Sequence, residues 1–169
     1  IPCQKGVFML YYTDEAIEMG IKIITENKKA KFEYFITERY EAGVALAGSE
    51  VKSIKMGHVN LGDAFCLISG EGEVWLKNCL VSPYEKGNAF TPEARRDRKL
   101  LLHKAEIAKL IGKVKVKGYT LVPTKLYFKD NRVKVEIGLA EGKKLHDKRR
   151  TIKERDEARQ MARDIKEYR

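Results

Sequence analysis

Alternating apolar and polar positions recur through the middle of the chain, and they predict short β-strands. Aromatic and β-branched residues over 32–46 predict a strand that bends at Gly43 into a second strand. Two further alternating runs, 64–69 and 73–81, are joined through the Gly-Glu-Gly sequence at 70–72 and indicate a β-hairpin. A period of two residues places one face of each run in a core and the other in solvent.

Another pair of strands is predicted over 118–140, on either side of Asp130-Asn131, which favours a tight turn. Six or so short antiparallel strands with inserted helices fit a small closed barrel better than a sandwich. The expected fold class is therefore mainly β. It is a small antiparallel OB-like β-barrel with peripheral helices and a basic C-terminal tail that is disordered when free.

Helical periodicity appears in two stretches. A short helix is predicted over 49–56, with Gly57 as its C-cap. A longer helix is predicted over 99–113, where leucine and isoleucine recur near positions i, i+3, i+4 and i+7 and Gly112 closes the run. Before it, 85–98 is rich in turn residues and ends in Arg-Arg-Asp-Arg, which predicts an exposed basic loop.

These patterns divide the chain into four parts. The barrel occupies 31–140 and follows a basic N-terminal arm over 19–30. Residues 1–18 differ in composition from the rest, so we interpret them as a non-native or mis-started extension before Met19. The tail, 141–169, carries eleven Lys or Arg against seven Asp or Glu and almost no large apolar residues. It buries too little apolar area to fold alone, and we expect it to become helical against a polyanion.

The net charge indicates what kind of partner the chain has. The formal charge is +10 and the pI is near 9.4, with about −2 over 1–18, +8 over 19–140 and +4 beyond. The barrel is therefore basic in its own right. Because the chain shows no apolar run of 18 residues and no acylation motif, RNA, DNA or a ribosomal surface is favoured over a membrane.

Candidate catalytic chemistry is sparse, which favours a binding protein without a cofactor over an enzyme. The sequence contains no motif for phosphate or dinucleotide binding, serine hydrolysis or zinc proteolysis. Three widely spaced cysteines and three scattered histidines disfavour a disulfide framework or a metal site and suit a reducing cytoplasm. Cys66 or Cys79 could pair with His58 or His103 as a nucleophile, although cysteine in an apolar strand more often packs in the core.

Six segments resemble, in the same order, those of the SmpB or SsrA-binding family. They are NKKAKFEYFITERYEAGVAL, GSEVKSIKMG, NLGDAF, RRDRKLLLH, GYTLVPTKLYFK and GLAEGKKLHDKRRTIKERD, and the resemblance spans 27 to about 163. It implies an antiparallel barrel with an OB-like core and a cytoplasmic bacterial protein without an active site, a cofactor or a small-molecule substrate. The implied partners are transfer-messenger RNA, through its tRNA-like domain, and the decoding region of the small subunit of stalled ribosomes.

By this resemblance, one face of the barrel contacts the RNA. Lys28 and Lys134 suit phosphates, and Leu101 suits an apolar base contact, although it has an equal claim to the core. Glu41 suits a hydrogen bond to a base or ribose, or a clamp on a basic neighbour such as Arg39. Guanidiniums of the basic loop can grip the backbone and stack on bases. The candidate RNA-binding set is Asn27, Lys28, Glu41, Arg95, Arg96, Arg98, Lys99, Leu101 and Lys134.

The resemblance assigns a second set of residues to the ribosome, because the tail matches a family segment that is helical in the empty message channel. Family members often carry His where this chain has Phe32, which keeps a stacking face but loses the hydrogen bonds of His. They also often carry an aromatic residue near Glu157, which this chain lacks. The candidate ribosome-contacting set is Phe32, Lys143, Lys144, Asp147, Lys148, Arg149, Ile152, Lys153 and Arg155.

Two alternatives stay open. A general single-strand nucleic-acid binder of the OB type would expose aromatic residues along one strand face and bind different RNAs with little preference. A structural ribosomal or ribosome-assembly protein would use the barrel and the tail as permanent anchors. It would occupy ribosomes constantly rather than when they stall.

Overall fold

The computed structural model describes residues 20–84, 92–116 and 118–167. The extension predicted over 1–18, the start at Met19 and part of the predicted basic loop, 85–91, lie outside the described residues.

Nine strands and four helices form within the described ranges. The strands are β1 Lys22–Glu26, β2 Tyr34–Val44, β3 Val59–Asn60, β4 Phe65–Ile68, β5 Val74–Lys77, β6 Leu80–Val81, β7 Arg98–Leu101, β8 Tyr119–Lys129 and β9 Arg132–Gly142. The helices are α1 Lys28–Glu33, α2 Gly48–Lys55, α3 Lys104–Val114 and α4 Leu145–Glu167.

Six of the strands close into an antiparallel barrel, which confirms the predicted mainly β fold with peripheral helices. Their order around the ring is β8-β4-β5-β7-β2-β9, and β9 pairs back to β8. Strand β1 also pairs with β8, and β3 pairs with β6 in a separate two-stranded sheet. Alternate residues fill the interior, as the period of two requires. The core includes Ala42, Ile54, Leu61, Val74, Leu76, Leu100, Leu110, Leu121, Leu126, Val135, Ile137 and Leu139.

Both predicted hairpins are present. Strands β4 and β5 pair from Phe65 with Lys77 to Ile68 with Val74. Strands β8 and β9 meet at Asp130 and Asn131, whose φ angles are +49° and +59°. Short polar side chains tolerate this left-handed region, and it supplies the twist that two-residue hairpin turns need.

The bend predicted at Gly43 is wrong, because β2 runs through this glycine as one strand. Gly43 is opposite Leu101 of β7 on one side and Lys134 of β9 on the other. A Cβ atom at Gly43 would lie 3.3 Å from the Cβ of Leu101. The glycine therefore permits the close approach of β7 at this point of the barrel.

The predicted helix over 99–113 begins too early and ends too early. Residues 98–101 form strand β7, the helix starts at Lys104, and it continues past Gly112 to Val114. The run of three leucines satisfies a helical period and an extended strand equally well, and pairing with β5 and β2 decides the outcome. The predicted short helix is α2. Its C-cap is Met56, and Gly57, predicted as the C-cap, follows with φ +80°.

The described part of the predicted N-terminal arm, 20–30, includes a strand paired with the barrel and the start of a helix. Residues 22–26 pair with β8, and 28–33 form α1, which spans the end of the predicted arm and the start of the strand predicted from 32. Phe32, predicted at the start of a strand, therefore lies on this helix. The strand pairing, which sequence periodicity over five residues does not show, fixes the position of α1.

Strand β9 continues to Gly142, two residues past the predicted end of the barrel at 140. Gly142 pairs with Tyr34, and the amide of Lys143 donates to the carbonyl of Glu33 at 2.9 Å. Helix α4 follows, in the segment expected to become helical against a polyanion. Side chains from 152 to 165 are exposed on every face of this helix. The prediction that the tail is disordered when free stays a prediction.

Candidate nucleic-acid interface

Three of the residues predicted to contact RNA meet in one open groove of about 730 Å³. Glu41 comes from β2, Leu101 from β7 and Lys134 from β9. Leu101 is 55% exposed, so the structure places it at the surface and not in the core. The groove is lined by Glu41, Gly43, Val44, Leu46, Val51, Leu101, Leu102, His103, Glu106, Asn131, Arg132, Val133 and Lys134.

Strand register explains why these residues converge. Gly43 is the pairing partner of both Leu101 and Lys134, and Glu41 stands two residues earlier on the same face of β2. A Cβ atom at position 43 would press on the side chain of Leu101. The groove thus combines the exposed apolar side chain of Leu101 with the charged side chains of Glu41 and Lys134.

Glu41 organises the charge on one side of the groove. Its Oε2 accepts from the hydroxyl of Tyr127 at 2.7 Å and from Lys129 Nζ at 3.2 Å. Lys134 Nζ lies 3.5 Å from its Oε1. The Tyr127 hydrogen bond, together with the two lysines, holds the pKa of Glu41 below its ordinary value despite partial burial. Glu41 is therefore ionised at neutral pH and holds two ammonium groups, of which that of Lys134 lines the groove together with Leu101.

The predicted partner of Glu41, Arg39, lies elsewhere. Arg39 Nε is 3.8 Å from the carboxylate of Glu136. The alternative of a clamp on basic neighbours is supported, with Lys129 and Lys134 as the neighbours.

The prediction of an exposed basic loop ending in Arg-Arg-Asp-Arg is wrong for its last arginine, Arg98. Arg98 is 1% exposed on β7, and its guanidinium lies 2.9 Å from Glu50, itself 5% exposed. Arg98 Nη1 donates to the carbonyl of Cys79 at 2.7 Å, and Nη2 donates to that of Ala94 at 3.1 Å. Arg98 therefore fastens the loop to the barrel and leaves no donor facing solvent for RNA.

The other candidates in this loop and on β7 differ in how far they are exposed to an RNA partner. Arg96 donates to both oxygens of Glu50, at 2.9 and 2.5 Å, and is partly exposed. Arg95 is exposed and donates to Asn78 at 2.6 Å. Lys99 is paired with Glu73 on the outer face of the sheet. Arg95 and Lys99 keep the exposure that a phosphate contact requires.

Asn27 and Lys28 have opposite environments. Asn27 is 2% exposed, and its Oδ1 accepts from the amide of Ala30 as the N-cap of α1. Its Nδ2 donates to the carbonyls of Leu61 and Pro123 at 2.7 and 3.1 Å. Asn27 therefore positions the helix, whereas the neighbouring Lys28 is exposed and free to face a polyanion.

The residues predicted to contact the ribosome gather where α4 leaves the barrel. The guanidinium of Arg155 lies 5.8 Å from the centre of the Phe32 ring, and Lys143 Nζ lies 4.9 Å from that of Phe35. Ile152 is 47% exposed, and Lys153 is 3.9 Å from Glu157. The remaining predicted positions lie in the first turn of α4 or just before it: Lys144, Asp147, Lys148 and Arg149.

Cys66 and Cys79 pack in the core, as the sequence favoured. They are 6% and 1% exposed, and burial raises the pKa of both thiols, that of Cys79 to about 11. A thiol that stays protonated at neutral pH is a poor nucleophile. His58 and His103 are exposed. Across the described residues, no helix combines the length and the apolar content of a bilayer crossing.

Comparison with known proteins decides the family. The family model described as SmpB protein matches residues 24–167. The SsrA-binding protein of Syntrophotalea carbinolica is 57% identical over 149 residues, covering 88% of this chain and 99% of the relative. That of Trichodesmium erythraeum is 59% identical, covering 88% of this chain and 96% of the relative. The chain belongs to the SmpB family.

The SmpB fold is also supported by a solved structure. A chain from a structure of tmRNA-SmpB at the centre of the bacterial ribosome superposes with a TM-score of 0.61 and is 49% identical. The match covers 72% of this chain and 85% of that chain.

The sequence patterns do not identify three residues that hold the candidate RNA-binding side chains in place: Glu50, Tyr127 and Lys129. The sequence pattern places Glu50 only within the helix predicted over 49–56, because its partners Arg96 and Arg98 lie 46 and 48 residues away in the chain. Tyr127 and Lys129 hold Glu41, and their position on β8 opposite β9 could have been read from the hairpin register. Burial of Glu50 with Arg98 depends on tertiary packing, which carries no local signal.

Proposed function

We propose that this chain binds transfer-messenger RNA, also called SsrA, and delivers it to stalled bacterial ribosomes in trans-translation. The observation that carries the proposal is the convergence of Glu41, Leu101 and Lys134 on one groove in a member of the SmpB family. The relatives are SsrA-binding proteins, and the solved structure contains tmRNA-SmpB on the ribosome.

In this proposal the groove binds the tRNA-like domain of the RNA. The exposed side chain of Leu101 gives an apolar surface for a base or ribose, and Lys129 and Lys134 give ammonium groups for phosphates beside it. Glu41 keeps both lysines in place and accepts from Tyr127. Its role is to position cations and to offer a hydrogen-bond acceptor, and the net charge of this cluster remains positive.

The loop before β7 and β7 itself add a second set of phosphate contacts. Arg95 and Lys99 are the proposed contacts, with Lys28 on α1 as a third. Arg96 and Arg98 hold the loop through Glu50. Asn27 has the same kind of role for α1, because its amide is used within the fold.

The tail is proposed to meet the small ribosomal subunit near the decoding region. Helix α4 presents Lys148, Arg149, Lys153 and Arg155 beside the exposed apolar side chain of Ile152. A helix of this composition suits a groove of ribosomal RNA, which supplies the negative charge that the helix lacks. Lys143, Lys144, Asp147 and Phe32 lie at the junction that places it there.

The chain is proposed to act in the cytoplasm as a binding protein and not as an enzyme, without a cofactor, small-molecule substrate or membrane partner. The buried cysteines support this because their raised pKa values disfavour a thiolate nucleophile.

A competition experiment tests the proposed function. Binding to labelled transfer-messenger RNA is measured by fluorescence anisotropy at about 150 mM salt, where charges farther apart than about 8 Å are screened, with tRNA as competitor. We expect tight binding that tRNA displaces poorly. Equal and weak binding to both RNAs would instead favour the general OB-type binder, and constant occupancy of unstalled ribosomes would favour a structural ribosomal protein.

A further inference from the structure

The outer surface of β4, β5 and β7 carries exposed apolar and aromatic side chains that the groove does not use. Phe65 is 44% exposed and Leu67 is 50% exposed, and Trp75 is partly buried beside them. Lys77 and Lys99 complete the surface, which we call the β4–β5–β7 face. Large apolar side chains that cluster at a surface mark a place where something binds.

Register shows that these side chains form one continuous face. Leu67 is paired with Trp75, and Trp75 is paired with Lys99 on the next strand. Phe65 is opposite Lys77 and therefore diagonal to Trp75, at a separation of about 7–8 Å in an antiparallel sheet. Two aromatic rings at that spacing, each next to a lysine, can receive neighbouring bases while the ammonium groups meet the phosphates.

The lysines of the face are available for such contacts. Lys77 is 2.7 Å from Asp97, which is 49% exposed, and Lys99 pairs with Glu73 at the rim. Exposed ion pairs of this kind contribute little to stability, so a phosphate can replace the carboxylate. Arg95 adds a positive charge at the end of β5, where it donates to Asn78.

The face is continuous with the groove. Leu101, which lines the groove, stands two residues after Lys99 on the same side of β7. An RNA strand seated against Leu101 therefore reaches Lys99 and then Trp75 without leaving the sheet. A nucleic-acid strand, with a phosphate at every nucleotide, uses both this continuity and the lysines of the face, which favours RNA over a protein partner.

We propose that the β4–β5–β7 face binds an unpaired RNA segment that continues from the groove, with Phe65 and Trp75 as stacking platforms and Lys77 and Lys99 as phosphate contacts. This inference rests on the RNA-binding function proposed above. It gives the barrel two contiguous surfaces, one for a structured RNA domain and one for a single strand.

Trp75 is the only tryptophan in the chain, so its fluorescence reports directly on this face. An oligouridylate of about ten nucleotides, within the site sizes of single-strand binding barrels, is titrated into the full chain. Binding is followed in parallel by anisotropy of a label on the RNA. We expect saturable quenching of Trp75 with the same midpoint as the anisotropy change.

The decisive variant is Phe65→Ala, with Phe35→Ala as the matched control. Phe35 is 48% exposed on the distant end of β2, where it is opposite Glu141. Loss of one stacking platform weakens binding about fivefold or more, so Phe65→Ala should weaken oligouridylate binding by that factor and Phe35→Ala should leave it unchanged. Lys99→Gln, which keeps the strand, should weaken the same binding.

Binding without a change in Trp75 fluorescence, or equal affinities for the Phe65 and Phe35 variants, would overturn the inference. Transfer-messenger RNA in the same assay separates it from the proposed function. Failure of the unchanged chain to prefer this RNA over tRNA rejects the function. A normal preference without any response at Trp75 or Phe65 rejects only the second surface.

Discussion

The barrel and helix α4 are both basic, yet they hold their charges differently. On the barrel, cations are tied to carboxylates on other elements, as in the pairs of Lys134 with Glu41 on β2 and of Arg98 with Glu50 on α2. On α4, the pairs join residues three or four apart in one helix, such as Arg150 with Glu154 at 3.0 Å. Long-range pairs fix a charge pattern in space, whereas local pairs move with the helix. The barrel can recognise a preformed RNA shape, and the tail has to take its position from its partner.

Removal of the tail should give the largest effect that separates the roles of the barrel and helix α4. The deletion is placed at 145–169, because Glu141 and Gly142 belong to β9 and their loss would damage the barrel. We expect ribosome rescue to be abolished and affinity for transfer-messenger RNA to change little, because the two regions are proposed to meet different partners. Rescue is measured as tagging of a nascent chain on a truncated message. Loss of RNA affinity as large as the loss of rescue would contradict this separation.

Within the barrel, Arg98→Ala should be the most destabilising change at the interface. It leaves the carboxylate of Glu50 buried with one partner fewer, and breaking a buried ion pair costs about 3–5 kcal/mol. The matched control is Arg95→Ala, since Arg95 is exposed and its loss should change the free energy of unfolding by less than about 0.5 kcal/mol. Urea denaturation measures both. If the two variants were equally stable, Arg98 would be exposed to solvent like Arg95, and its buried ion pair with Glu50 would be rejected.

The same ion pair predicts sensitivity to acid. Burial alone raises the pKa of Glu50, but hydrogen bonds from Arg96 and the amide of Ala47, with the charge of Arg98, outweigh it and lower the pKa below the ordinary value of 4.5. A lowered pKa in the folded state means that the stabilisation is complete above about pH 4.5 and is lost as the pH falls through the lower value.

The free energy of unfolding should therefore fall less steeply below pH 4.5 in Glu50→Gln than in the unchanged chain. It is measured by urea denaturation between about pH 3 and 7. Parallel pH profiles would show that Glu50 does not carry the effect.

The contrast between local and long-range contacts also explains how much of the fold and of the groove the sequence predicts. The hairpins and the barrel follow from alternation and from turn residues such as Asp130 and Asn131, whose signals are local. The contacts in the groove came from resemblance, and their convergence depends on Gly43 pairing with two different strands. The sequence predicted wrongly that Arg98 is exposed in a loop and that a helix begins at 99, whereas Arg98 is buried and 98–101 form a strand. A basic, leucine-rich segment has the same local pattern in a loop, a helix or a strand.

Lys134→Ala tests whether the barrel's fixed charges meet phosphates. Each phosphate that a lysine neutralises contributes about 0.7–0.9 to the slope of log K against log salt. We expect weaker binding to transfer-messenger RNA and a slope shallower by about that amount, measured by anisotropy from about 50 to 300 mM salt. Lys153→Ala on the tail is the control and should leave the slope unchanged. If the slope were unchanged for both variants, Lys134 would not contact a phosphate of the bound RNA.

The smallest effect concerns how the tail is held in the free protein. Arg155 lies over Phe32 at 5.8 Å, and an exposed cation–π contact contributes about 0.5–1 kcal/mol. Arg155→Ala removes that contact while introducing the residue with the highest helix propensity, so intrinsic preference alone would raise the helix content. A decrease can only come from lost docking on α1.

Circular dichroism at 222 nm, compared with the 145–169 deletion, measures the helical signal that belongs to the tail. We expect Arg155→Ala to lower this signal, and Arg159→Ala, whose guanidinium is 3.6 Å from Asp156, to keep or raise it. If the deletion removes no helical signal at all, the tail is disordered when free and the Phe32 contact forms only with its partner. In that case the barrel alone is preordered, and the helix is a property of the bound state.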